Sequence, residues 1–209
     1  MAPKDTKSEK VREKRQRIMA AAIKVIAQHG YHAATMSKIA QEADVAVGMI
    51  YGDKYFGKNA KEAVLLCIFE EKMQELVERS SADMAVAIDP IEKVRIFLKV
   101  HFDHLQENPE LAQVFQIDLR QSQRFFRGYS PTQLFTYIGL LGSALKEAKQ
   151  SGCISSDVNV SVLQWAIFGA VDELALNWVM TKHTDNVFPD NLNTLPDQLV
   201  RMFIDGVRI

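Results

Sequence analysis

Apolar residues recur along this chain at helical rather than strand spacing. Ile18, Ala21, Ala22, Val25 and Ile26 fall on one face of a predicted helix, which Gly30 and Tyr31 stop with a C-terminal glycine and an aromatic anchor. Thr35 is placed to cap a second helix of about two turns, in which Met36, Ile39, Ala40 and Ala43 make the apolar face. Asp44-Val45-Ala46 then reads as a tight turn, because Asp tolerates a left-handed backbone, and Val47 to Tyr51 opens a third helix. Two short helices joined so tightly have the dimensions of a DNA major groove.

The same spacing continues to the end of the chain. Ala63, Leu66, Phe69, Met73 and Leu76 predict a long helix from about Lys58 to Arg79. Asp89-Pro90, Asn108-Pro109 and Ser130-Pro131 each set a capping side chain before a proline at the first helical position, so each marks a helix start. Gly152 closes the third of these, and Asp157 is placed to cap the next, an apolar helix through Leu163, Phe168, Val171 and Leu174 to Met180. Pro196 opens a final amphipathic helix with Leu199, Met202, Phe203 and Val207, after the longest break, Thr181 to Leu195. Strand signals are nearly missing, which predicts an all-α fold of about nine helices.

Charge divides the chain. The formal net charge is only -1, yet residues 1–62 hold 12 Lys/Arg against 7 Asp/Glu, or +5, leaving 13 against 19, or -6, for the rest. The basic leader of Lys4, Lys7, Lys10, Arg12, Lys14, Arg15 and Arg17 attracts phosphates or forms a solvated tail. No apolar signal segment comes after it, and no run approaches the roughly 18 apolar residues of a membrane span, so a cytoplasmic protein without a membrane partner is expected. Cys67 and Cys153 have no metal-type spacing and read as small buried hydrophobes.

Catalytic motifs are wanting. Gly52 to Asn59 matches the spacing of a phosphate-binding loop, but Asn59 stands where a magnesium-holding hydroxyl belongs and no apolar strand precedes Gly52. His101, His104 and Glu107 share a helix and the two histidines could share a metal, but no third ligand of clear spacing appears elsewhere in the chain. No nucleophile elbow occurs. Neither an enzyme nor a bound metal or cofactor is expected.

The ordered set Ile18, Ala21, Ala22, Gly30-Tyr31, Thr35-Met36, Ile39-Ala40, Ala43, Val45, Gly48, Ile50-Tyr51 and Tyr55-Phe56 resembles the DNA-binding domain of the TetR family of bacterial transcriptional repressors. The resemblance implies a TetR-like fold: a helix-turn-helix domain over residues 1–62 and an effector-binding, dimerising helical domain over residues 63–209. It also implies an operator interface of Thr35, Ser37, Val47, Gly48, Met49, Tyr51, Lys54, Tyr55, Lys58 and Lys61, with Met49 at base edges and Lys54, Lys58 and Lys61 free for phosphates. Two departures stand out. Asp44 replaces the glycine usual in the turn, and two extra residues come after Tyr51. In a continuous helix such an insertion would rotate every later residue by roughly 200°, so Gly52 to Asn59 is expected to bulge or loop, holding Phe56 against Ile18 and Ile39.

The C-terminal part carries a second likeness. His101 to Leu105, Phe115 to Ser122, Ile167 to Leu174 and Trp178 to Met180 are similar to fatty-acid-degradation repressors of the TetR family. That likeness implies a long-chain acyl-CoA effector. Phe97, Phe102, Leu105, Phe115, Leu119, Phe126 and Phe168 would line its tunnel or simply form core. Arg120, Arg124 and Arg127 make a line suited to coenzyme A phosphates or to pairing with acids. Trp165, Asp172, Ala175, Leu176, Trp178, Leu199, Met202 and Phe203 would form a homodimer interface or monomer core. Two alternatives stay open: a repressor answering another hydrophobic or drug-like effector, and a helical interaction protein whose altered segment 52–61 no longer reads DNA.

Overall fold

The computed structural model describes residues 4–119, 130–181 and 191–207. Among these residues all regular structure is helical and there is no strand. The elements are α1 (Lys4–Ala33), α2 (Met36–Glu42), α3 (Val47–Ile50), α4 (Ala60–Ala85), α5 (Pro90–Glu107), α6 (Pro109–Gln113), a π-helical turn (Val114–Asp118), α7 (Thr132–Gln150), α8 (Val160–Thr181) and α9 (Leu195–Phe203). Short 3-10 turns cover Leu192–Thr194 and Asp205–Val207.

Several boundaries obey the chemistry read in the sequence. Gly30 breaks α1 with φ 75°, Thr35 Oγ1 accepts the Lys38 amide at 3.2 Å, Asp89 caps α5 through the Ile91 amide at 3.0 Å, and Gly152 ends α7 with φ 75°. Other caps are corrected. Asn159 caps α8 instead of Asp157, its Oδ1 accepting the amides of Ser161 and Val162, while Asp157 accepts from Ser155 Oγ. Asn108 serves the helix before it, its Nδ2 donating to the His104 carbonyl at 3.0 Å. Ser130 makes no side-chain cap, and α7 starts at Thr132 behind Pro131.

The chain forms two compact units. The first comprises Met1–Glu71 with Gln113–Tyr129, and the second Lys72–Ala112 with Ser130–Ile209. In the first, Ile18, Ala22, Ile26, Ile39 and Ile50 are essentially sealed from solvent, and each of the isoleucines contributes roughly 1.5–3 kcal/mol. Packing of α1 against the π-helical turn brings residues nearly 90 positions apart into this core. In the second, α5 is the central helix and packs on α7, α8 and α9. Phe97, Leu98, Phe102, Tyr137, Leu141, Leu145 and Val171 fill the space between them.

Candidate DNA interface and buried polar groups

The helix-turn-helix depends on its turn residue. Asp44 adopts φ 53°, the one positive value at a non-glycine position among the described residues, and its short polar side chain makes that conformation tolerable. Arg17 closes over it, donating to the Ala43 carbonyl at 2.6 Å and pairing with the Asp44 carboxylate at 3.4 Å. Helix α3 then lasts a single turn, and residues 51–59 form a loop. Gly57 has φ 69° and the Tyr55 and Phe56 amides fold back on the carbonyls of Gly52 and Ile50. The two-residue insertion is therefore absorbed without rotating Phe56 out of the core, where it is 8% exposed. The Arg15 guanidinium covers that ring at 4.9 Å and donates to Cys67 Sγ at 3.1 Å, so Cys67 is partnered as well as half-buried.

Thr35, Ser37, Val47, Gly48, Tyr51, Lys54 and Lys58 are exposed, while Met49 and Tyr55 are half-buried. A Cβ at Gly48 would meet nothing within 4 Å, so packing does not explain this glycine. Lys61 departs from the sequence reading: it is not free. Its Nζ lies 4.5 Å over the Tyr31 ring and donates to the His32 carbonyl at 3.2 Å, stapling the start of α4 to the turn after Gly30. Burial there lowers its pKa. An open cleft of about 360 Å³ lies beside it, lined by Tyr31, Tyr51, Lys58, Asn59 and others.

Sequence reasoning missed the carboxylate under this head. Asp118 is 2% exposed, its Oδ1 accepts the Tyr31 amide at 2.6 Å, and its Oδ2 has no partner among the described residues. Gln113 Nε2 donates to the Ala27 carbonyl at 2.7 Å nearby. Burial raises the Asp118 pKa, against the opposing pull of the Tyr31 amide and His32. The ionised form is thus disfavoured in the fold, and its contribution to stability shrinks as pH rises through the native pKa. Asp118→Ala strands a buried amide and should cost about 1–3 kcal/mol. Asp118→Asn keeps an acceptor and sheds the charge, so at pH 7 it should melt at least as high as the parent, with the difference narrowing at pH 5. An Asn variant as unstable as the Ala variant would show that the hydrogen bond to Tyr31 is not what holds this site.

In the second unit Phe97, Phe102 and Leu105 are buried and Phe168 half-buried; in the first, Leu119 is buried and Phe115 half-buried against Phe69, with ring centroids 5.2 Å apart. Arg120, Arg124, Phe126 and Arg127 lie outside the described residues. Of the residues read as a dimer interface, Ala175, Trp178 and Leu199 are buried within the chain itself, Asp172, Leu176 and Phe203 are half-buried, and Trp165 and Met202 are 51% and 70% exposed. His101 does not join a metal site. Its Nδ1 lies 3.0 Å from the Tyr137 hydroxyl, Glu107 pairs with Arg79 at 2.6 Å, and among the described residues no group of three or more His, Cys, Asp or Glu is arranged for a metal. His104 is lowered in pKa by burial and by Arg79.

A short helix-turn-helix with exposed lysines beside it, together with a helical unit that has a large apolar core, is the build of a DNA-binding regulator. Residues 18–66 match the family model described as bacterial regulatory proteins, tetR family, and residues 69–206 match that of the YsiA-like protein, C-terminal region. The chain belongs to the TetR family. It is 36% identical over 196 residues to the fatty acid metabolism regulator protein of Bacillus subtilis (strain 168), covering 94% of this chain and 96% of that one. It is similar to the fatty acid degradation regulator FadR from Bacillus halodurans, at TM-score 0.82 and 37% identity over 93% of this chain and 96% of the other. It also resembles FadR from Bacillus subtilis in complex with stearoyl-CoA, at TM-score 0.81 and 35% identity over 92% and 99%.

Proposed function

We propose that this chain is a cytoplasmic, homodimeric repressor of fatty-acid metabolism genes, not an enzyme, released from its operator by long-chain acyl-CoA. The observation that carries this reading is likeness over nearly the whole of both chains to a regulator solved with stearoyl-CoA. A similarity limited to the head would say nothing of the effector. Here the apolar unit shares it, and Phe97, Phe102 and Leu105 are buried apolar side chains of the kind that would line an acyl-chain tunnel. Among the described residues no helix is long and apolar enough to cross a membrane. The exposed Trp165 and Met202 are the surface a second copy would cover, and a dimer presents two recognition helices about 34–36 Å apart.

On DNA, Thr35, Ser37 and Tyr51 contact phosphates, Gly48 allows close approach beside Val47, and Met49 touches base edges. Lys54, Tyr55 and Lys58 add backbone contacts from the lengthened loop. Tyr51→Ala should weaken every operator variant alike by about fivefold, as loss of one phosphate contact does. Selective loss on one sequence would assign Tyr51 to base reading instead. The reading as a whole is tested by a band shift with the operator, then addition of stearoyl-CoA. A shift that stearoyl-CoA does not reverse points to another effector, and no shift at all points to an interaction protein.

A further inference from the structure

The core of the second unit contains polar groups that its own packing does not satisfy. Ser80 of α4 is fully buried, and its hydroxyl has no hydrogen-bond partner among the described residues. It nevertheless lies beside the phenol of Tyr137 of α7, closely enough to favour the ionised phenol. Tyr137 is 1% exposed. Its ring stacks on Phe97 with centroids 4.6 Å apart, and the His101 ring of α5 lies at 5.9 Å in a similar plane.

Burial raises the phenol pKa, so the hydroxyl keeps its proton, and its oxygen lies 3.0 Å from His101 Nδ1. In the tautomer in which that hydroxyl donates to Nδ1, the single ring proton of a neutral imidazole sits on Nε2. That nitrogen is sealed from solvent although part of the residue stays accessible, and it has no partner among the described residues. His101 is neutral at physiological pH, with burial bringing its pKa to about 4, His104 pressing the same way and Asp172 of α8 opposing them. An apolar core thus holds two buried polar atoms with no hydrogen-bond partner of normal geometry among the described residues, Ser80 Oγ and His101 Nε2, beside one tyrosine. Buried polar atoms left without partners are costly and are normally matched by water or by a bound molecule.

We propose that Ser80, His101 and Tyr137 form a subsite that hydrogen-bonds the carbonyl oxygen of a long-chain acyl thioester, and that this subsite selects the thioester over the free acid. The inference rests on the proposed acyl-CoA function. Its chemistry is specific in sign: neutral donors in a dry site suit a neutral acceptor. A carboxylate placed there would bring a buried negative charge close to Asp172, whose charge already acts on His101, and burying a charge is far more costly than burying a carbonyl. The aromatic residues next to it on α5, Phe97 and Phe102, continue the apolar wall along which the alkyl chain runs.

The test compares three probes on the full-length protein by calorimetry: stearoyl-CoA, its thioether analogue S-octadecyl-CoA, which lacks the carbonyl, and stearic acid. The parent should bind the thioester about tenfold more tightly than the thioether, the effect of one good hydrogen bond, with stearic acid weaker again. Tyr137→Phe keeps the stack on Phe97 and removes the hydroxyl that holds the His101 tautomer, so it should weaken stearoyl-CoA about tenfold and leave the thioether unchanged. His101→Gln retains a donor and should preserve most of the preference, whereas His101→Phe should abolish it. Thermal melts identify any variant that fails to fold, and the comparison of probes on the parent needs no variant. Equal affinity of thioester and thioether, as expected if the unpaired atoms merely hold an ordered water, overturns the subsite alone. Failure of both CoA compounds to bind overturns the acyl-CoA reading on which it rests.

Discussion

Acidifying the protein from pH 7 to pH 4 is expected to remove roughly 3 kcal/mol of stability through His101 alone. The native imidazole titrates at about 4 because its burial in the second unit penalises the charged form, against an unfolded value near 6.5. A group depressed in this way contributes its full share above the unfolded pKa and loses it as pH falls through the native one, so the window is about pH 6.5 to 4. At about 1.4 kcal/mol per unit the loss is set by the gap between the two values. His104 pushes the same way, since burial and Arg79 lower it too. Asp118 pushes the other way, because its raised pKa makes the native state gain as it protonates. Chemical denaturation at several pH values, on the parent and on His101→Gln, separates these contributions. The variant should flatten the profile between pH 6.5 and 4, and a profile unchanged by the substitution would mean that His101 is protonated in the fold after all.

That cost bears on why such a group is retained. Leucine at position 101 would fill similar space without titrating, and buried polar groups often contribute less to stability than well-packed apolar ones. A histidine held neutral by its surroundings and tied to a tyrosine is better explained by what it binds. The same holds for Asp118, whose unpaired Oδ2 sits in the core of the first unit. Functional demand is where local rules of packing are expected to fail.

The parts of this molecule legible in its sequence are those fixed by local chemistry. Asp44 in the turn, Thr35 and Asp89 as caps, and Gly30, Gly57 and Gly152 at positive φ each act within a few residues of themselves. The loop at 52–59 was legible for a related reason, since an insertion cannot keep Phe56 buried unless the helix breaks. Asn108 and Asn159 show the limit of the approach. Both side chains can cap in either direction or be outcompeted by a neighbour, and only tertiary placement decides. Lys61 was legible as a cation but not as a staple, because its partners, the Tyr31 ring and the His32 carbonyl, lie some 30 residues back. The contacts of Asp118 with Tyr31 and of Tyr137 with His101 span 87 and 36 positions. No periodicity announces pairs so distant, and the sole cue was a polar residue within an apolar stretch.

Acyl-chain length should dominate the response of the protein–operator complex. A buried methylene contributes up to about 0.8 kcal/mol. Ordering a flexible chain takes back much of this, but a quarter of it summed over about 16 methylenes still amounts to about 3 kcal/mol, or more than a hundredfold in affinity between acetyl-CoA and stearoyl-CoA. Affinity alone does not release DNA. In the proposed dimer, the ligand must prefer a state in which the two heads no longer match the operator, because a ligand that binds both states equally shifts nothing. Titrating the complex with acyl-CoA of rising length, read by fluorescence anisotropy of labelled operator, should give half-release at concentrations that fall steeply with length. Arg124→Ala with Arg127→Ala should weaken the CoA ester more than the free acid if that arginine line meets CoA phosphates. If acetyl-CoA and stearoyl-CoA act alike, hydrophobic burial is not the driving force, and if neither acts, the effector of this repressor is of another class.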